Sequence, residues 1–90
     1  TEQELDHGYS DLYLKPRNDT PHGYIIELKY CKHSSSTADV KALLEQARVQ
    51  LPNYINAKNL TTEAKDGNWT LHPIILVFKG WELAEYEVLG

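Results

Sequence analysis

Two carboxylates and one lysine, Asp11, Glu27 and Lys29, stand in stretches that otherwise read as β-strand. Asp11 lies inside YSDLYL (residues 9–14), and Glu27 and Lys29 lie two apart inside YIIELKY (residues 24–30). Asp is disfavoured in the middle of a strand, so its presence there asks for a reason. Side chains alternate along a strand, which puts Ile25, Glu27 and Lys29 on one face and Ile26, Leu28 and Tyr30 on the other. In an ordinary strand an E-x-K of this kind points into solvent, while Ile26 and Leu28 seat the strand on the core. A second acid on a paired strand changes the reading, because two carboxylates brought together by a hairpin repel unless a cation lies between them. Oxygen ligands of that type suit Mg²⁺ or Mn²⁺, which keep several waters and hold phosphate oxygens. A lysine beside the metal-binding Glu can orient an attacking water or stabilise charge building up on phosphorus. The chemistry open to such a set is hydrolysis of a phosphodiester.

The elements that must position these residues follow from the pattern along the chain. The two strand-like runs are separated by KPRNDTPHG, which predicts a hairpin with a long connection. Upstream, QELDHGY offers a short first strand ending in a turn. From residue 38, Val40, Leu43, Leu44, Ala47, Leu51, Tyr54 and Ile55 recur at three- and four-residue steps, a helical stripe. SSSTAD supplies N-cap candidates, so a helix is expected over residues 37–51. Pro52 lacks an amide proton and is expected to kink the helix or restart it as a short second segment, PNYINAK. Residues 59–68 read as a loop with an Asp66-Gly67 turn. HPIILVFKG reads as a strand buried on both faces. WELAEYEV alternates apolar and acidic residues, as an edge strand with an acidic wet face would. The predicted order is β-β-β-α-β-β.

GYSDLYL followed by YIIELKY resembles the PD-(D/E)XK nuclease superfamily, whose strand-borne Asp and E-x-K bind Mg²⁺ and cut nucleic acid. Gly8-x-x-Asp11 is similar to the G-x-x-D of its exonuclease-like branch, and Gln50-Leu-Pro-Asn-Tyr54 has that branch's Q-x3-Y spacing on the helix after the lysine. The resemblance implies an α/β (α+β) fold with a restriction-endonuclease-like mixed sheet, and it covers the chain from about Gly8 to the last strand. It makes Asp11 and Glu27 metal ligands, with the Leu28 backbone carbonyl as a third protein oxygen. Lys29 becomes the catalytic lysine, and Gln50 and Tyr54 contact the substrate or orient the site. The implied cofactor is Mg²⁺ or Mn²⁺, and the implied substrate is nucleic acid, DNA ahead of RNA. The relatives it is most similar to are nuclease-like domains at the C-terminal end of bacterial proteins with an AAA-ATPase-like N-terminal part. The chain is accordingly expected to be a C-terminal piece of a longer protein, with that ATPase-like part as its partner domain. Two departures stand out. Tyr9 and Ser10 occupy the places where relatives carry an Arg before the motif Asp, and the helix that opens the superfamily core has no counterpart here. Glu4, the nearest substitute for an acid from that helix, reads as a solvated terminal residue.

Bulk properties bound these expectations. Ninety residues make one domain with one modest core. The longest apolar run, residues 74–78, is far too short to span a bilayer, and no signal peptide is visible. A single cysteine, Cys31, cannot form an internal disulfide, which fits a reducing compartment and makes the cytoplasm the expected location. Cys31 reads as a small buried or edge residue, and His7, His22, His33 and His72 read as turn and loop residues without zinc-ligand spacing. Trp69, Trp81 and the tyrosines, Tyr13 and Tyr30 included, read as packing residues. The formal charge of −4 gives phosphate backbones little to hold, so binding to nucleic acid depends on a bound cation or on another part of the protein. The same charge, with the acidic final strand, supports a competing reading: a catalytically inactive nuclease-like module that serves protein contact or homodimer formation through an exposed strand edge. A small ligand-binding or regulatory α/β domain is the generic third reading.

Overall fold

The computed structural model describes residues 12–17 and 19–89. They form a four-stranded mixed sheet in spatial order β1-β2-β3-β4, with two helices packed on one face. The strands are β1 (Leu12–Leu14), β2 (His22–Cys31), β3 (Thr70–Lys79) and β4 (Glu82–Val88); the helices are α1 (Thr37–Ala57) and α2 (Leu60–Gly67). The upstream strand expected in QELDHGY lies outside the described residues.

β1 and β2 pair antiparallel in the register Leu12↔Ile26, Tyr13↔Ile25 and Leu14↔Tyr24. β2 and β3 run parallel, from His22↔Thr70 to Cys31↔Lys79, so the chain must cross over between them, and α1 and α2 make that crossover. β4 returns antiparallel to β3, with a bulge between Val77 and Phe78.

α1 starts where its sequence says it should. The Ser36 hydroxyl accepts from the Asp39 amide at 3.2 Å and the Asp39 carboxylate accepts from the Ser36 amide at 2.9 Å, a reciprocal capping box. PNYINAK is helical as expected, but it does not restart as a separate segment at Pro52: one helix runs through to Ala57. A proline inside a helix costs about 3 kcal/mol, but Leu51 and Ile55 on either side of it are buried, and their packing offsets that cost. Residues 59–68 are likewise not a loop. Leu60 and Ala64, four apart and both buried, make one face of α2, and Asn59 and Asn68 cap it in the left-handed conformation at φ 55° and 58°. The expected Asp66-Gly67 turn is the end of that helix.

The core lies between the helices and one face of the sheet. Val40, Leu44, Ala47, Leu51 and Ile55 of α1 meet Ile25, Ile75 and Val77 of β2 and β3. The opposite face is open among the described residues, which corrects three expectations. β3 is covered on one face only, since Ile75 and Val77 are buried while Ile74, Leu76 and Phe78 keep partial exposure. Ile26 and Leu28 do not seat β2 on the core: they lie on the open face, where Leu28 is exposed and Ile26 half-buried. In β4 the alternation runs opposite to the expected sense: Tyr86 and Val88 face the open side, and Glu85 and Glu87 pair in register with Val77 and Ile75 on the helix side. No described helix is long and apolar enough to cross a membrane.

Candidate active site

β2 is a central strand, and its covered face carries Ile25, Glu27 and Lys29 in sequence. The two charged residues therefore enter the layer between sheet and helix instead of pointing into solvent. The Glu27 side chain is 2% exposed and that of Lys29 is 11% exposed. Their neighbours across the parallel pairing are Ile75 and Val77, both fully buried. The Lys29 ammonium lies 3.5 Å from the Glu27 carboxylate.

Gln50 reaches the same place from the helix. It precedes Leu51, whose burial fixes that turn of α1 over the sheet, and its amide oxygen accepts a hydrogen bond from the Lys29 ammonium at 2.6 Å. The ammonium is thus held between a carboxylate on its own strand and an amide on the covering helix. A charged lysine in this setting has few rotamers left, and its donors point in fixed directions. Tyr54, one helical turn beyond Gln50, packs against the core.

Tyr13 belongs to the same wall. Its pairing with Ile25 puts it on the covered face of β1, where it packs against the core, and its buried hydroxyl has no hydrogen-bond partner among the described residues. Burial pushes the Tyr13 phenol above its usual 10.0, with smaller contributions in the same direction from Glu63 and Tyr54. Tyr13 packs as the sequence predicts, whereas Glu63, which the sequence predicts in a loop, lies on α2. The signal available for Tyr13 was its two-residue step from Asp11, which puts both on one face of a strand. For Glu63 there was none, because the helix that carries it was missed.

Asp11, the second expected carboxylate, lies outside the described residues, as do Glu4, His7 and Gly8. Leu28, whose backbone carbonyl is the third expected oxygen, sits in β2 between Glu27 and Lys29. Among the described residues no group of three or more His, Cys, Asp or Glu side chains is placed to hold a metal ion. Among the described residues the β1 pairing reaches Leu12↔Ile26, one residue before Glu27.

Other singled-out residues fall elsewhere. His22 and His72 are strand residues, not turn residues, and their ring nitrogens Nδ1 and Nε2 meet at 2.9 Å, with Tyr24 stacked on His72. His22 begins β2, five residues before Glu27, and His72 lies beside it in β3. The thiol of Cys31 donates to the Phe78 carbonyl at 3.6 Å, and Trp81 stands 99% exposed in the β3–β4 turn rather than packed. Arg48, which the sequence did not mark, joins α1 to β4: its Nε lies 3.1 and 3.0 Å from the two carboxylate oxygens of Glu87, and its Nη1 bonds Glu45. These bonds hold the Glu87 carboxyl below its usual range.

A mixed sheet with helices across one face, and an acid–lysine pair held beneath a helix on a central strand, defines a restriction-endonuclease-like α+β domain. The family model of the PD-(D/E)XK nuclease superfamily matches residues 1–87, and the chain belongs to that superfamily. No curated protein and no solved structure matches it.

Proposed function

We propose that this nuclease-like domain hydrolyses phosphodiester bonds of nucleic acid, DNA in the first place, with Glu27 and Asp11 as the carboxylates and Lys29 as the catalytic lysine. The observation that carries the reading is the burial of Glu27 and Lys29 together beneath Gln50. A buried ion pair contributes little to stability and is often matched or exceeded by apolar residues of similar volume. Charges kept in such a place are candidates for chemistry.

What supports Asp11 as the second carboxylate is the register of its neighbour: Leu12 pairs with Ile26, and Asp11 and Glu27 are the residues next to that pair in the sequence. Carboxylates and the Leu28 carbonyl form an all-oxygen donor set, which fits Mg²⁺ or Mn²⁺ and not zinc. When bound, such an ion supplies Lewis acidity and a more acidic water. Lys29 orients the attacking water and offsets negative charge on the phosphate, and Gln50 keeps its ammonium aimed. Tyr54 lines the substrate side one turn along. An N-terminal ATPase-like part of a longer protein is the partner that the superfamily resemblance suggests.

The test is cleavage of linear and supercoiled DNA by the chain with Mg²⁺ or Mn²⁺, alongside Lys29→Ala. Cutting that disappears in the variant while circular dichroism is unchanged supports the reading. Absence of both cutting and Mn²⁺ binding by calorimetry in the parent chain sinks it and favours the inactive module, to which the net charge of −4 lends its support.

A further inference from the structure

We propose that the cavity beside the β1–β2 connection seats backbone phosphates of the nucleic acid on which the domain acts, with Lys15 and Arg17 as their cations. The proposal rests on the nuclease reading for the identity of the strand and adds a binding site outside the Glu27 and Lys29 pair. The cavity has a volume of about 500 Å³ and lies where β1 ends. Tyr13, Lys15, Arg17, Thr20, His22 and Tyr24 line it.

The connection that carries these residues is tied down along its length. The Thr20 amide donates to the Arg17 carbonyl at 3.1 Å and the two residues form a bridge, which closes a tight turn between them. The Thr70 amide donates to the Pro21 carbonyl at 2.9 Å and fastens the end of the connection to β3. His22 Nδ1 meets His72 Nε2 at 2.9 Å, and Tyr24 stacks on His72 with ring centroids 5.0 Å apart. A ligand meets a preformed wall there, so little ordering is lost on binding.

Charge selects an anion. In a chain of net charge −4 the cavity gathers Lys15, Arg17 and His22, and none of its lining residues is acidic. Among the described residues neither Lys15 nor Arg17 pairs with a carboxylate. Asp19 belongs to the same connection and Glu63 acts on Tyr13 from α2, but neither forms part of the wall. Like charges brought together repel, and an anion between them offsets the repulsion. Lys offers a phosphate a point charge, Arg a planar fork of donors, and Thr20 a hydroxyl of the kind that bonds phosphate oxygens.

Position selects among anions. Tyr13 pairs with Ile25, and the next residue on that face of β2 is Glu27, so the cavity adjoins the acid–lysine pair along the sheet. Tyr24 and His22 stand three and five residues before Glu27, roughly 10 and 16 Å at the rise of a strand. At about 3.4 Å per nucleotide, a strand whose reacting phosphate lies at the pair has phosphates about three to five nucleotides away at the distance of the cavity. A free phosphate gains nothing from that spacing.

Fluorescence anisotropy of a labelled DNA duplex with the full chain tests this, with Ca²⁺ in place of Mg²⁺, over a series of salt concentrations, and with the probe checked on a gel to be uncut. Lys15→Ala with Arg17→Ala is expected to weaken binding about 10-fold or more and to lower the slope of log affinity against log salt by about two, one for each phosphate contact. Both residues are exposed, so the melting temperature is expected to stay unchanged. Lys41→Ala with Lys65→Ala removes the same charge from the two helices and is expected to lower the slope by less than about one. A parent chain that binds no duplex overturns the proposal, as does a Lys15 and Arg17 variant that binds like the parent or no worse than the helix pair. Inorganic phosphate held by the parent in calorimetry and lost in the variant, with duplex binding unchanged, makes the cavity a seat for a free anion and overturns the nucleic-acid assignment. A lower melting temperature with unchanged affinity shows a cavity packed by its own chain and overturns it too. Cleavage is read separately: a parent that cuts DNA while the variant binds equally well loses the seat and keeps the catalytic site, and a parent that binds through Lys15 and Arg17 without cutting keeps the seat and loses the catalysis.

Discussion

The two faces of one sheet have exchanged the residues that an ordinary strand would give them. The face beneath α1 holds Glu27 and Lys29 among Ile25, Ile75 and Val77, and the face left open among the described residues is apolar from Leu12 across to Val88. Solvent-facing strand residues are normally the polar ones, because a charge loses hydration on burial and an apolar group gains by it. The difference teaches that burial here serves different ends on the two sides. Beneath the helix it immobilises an acid–lysine pair; on the other side apolar surface stays exposed among the described residues.

Making a cavity beneath the helix is the hardest test of this contrast. Ile75→Ala is expected to cost about 2–5 kcal/mol in urea unfolding, from lost transfer energy and residual cavity. Tyr86→Ala on the open face is expected to cost under about 1 kcal/mol. Equal costs for the two would mean that the faces do not differ in burial in solution.

Lys29→Ala is expected to lower DNA cleavage by about 10²–10³-fold, the scale of removing one preorganised donor from a developing charge. Gln50→Ala is expected to give a loss of about 10-fold, as removal of an orienting partner does, with substantial rescue by Gln50→Asn if aiming is its role. Equal losses at both positions would make Gln50 a catalytic residue and not a positioning one.

Turning the covered face into a second apolar face sharpens the comparison. Glu27→Leu with Lys29→Met removes both charges at similar volume and is expected to raise stability by about 1–4 kcal/mol while abolishing cleavage. Glu27→Leu alone, which strands the ammonium, is expected to be less stable than the pair. A destabilised double variant would show that the ion pair is structural.

The smallest effects are those of pH. Burial raises the Tyr13 phenol, so the folded state holds its proton more tightly than the unfolded chain does. Its contribution is complete below pH 10.0 and is lost as pH rises through the higher folded value. Tyr13→Phe should flatten the alkaline limb of the melting temperature. At the acid end the sign reverses. Glu87 is held low by Arg48, so its contribution is present above the usual value of 4.5 and fades as pH falls through the depressed one. Arg48→Ala should raise the Glu87 carboxyl resonance midpoint, read by NMR titration.

Much of this was legible because it is local. The stripe from Val40 to Ile55 is the buried face of α1, SSSTAD contains its capping box, and alternation put Glu27 and Lys29 on one face. The helix α2 was not legible, since two apolar residues four apart in LTTEAKDG are a faint signal beside its polar neighbours. The passage of α1 through Pro52 was hidden for another reason, in that what offsets the missing amide is the burial of Leu51 and Ile55 against strands far away in the chain.

The sequence by itself determined the residue types, their alternation and their order, and with these the superfamily and the chemistry open to Glu27 and Lys29. Only the tertiary structure decided which face of β2 the helix covers, because a period of two says that two faces differ and not which one is inside. It also decided that Gln50 would meet Lys29 at 2.6 Å, a contact across 21 positions of chain that no local pattern encodes.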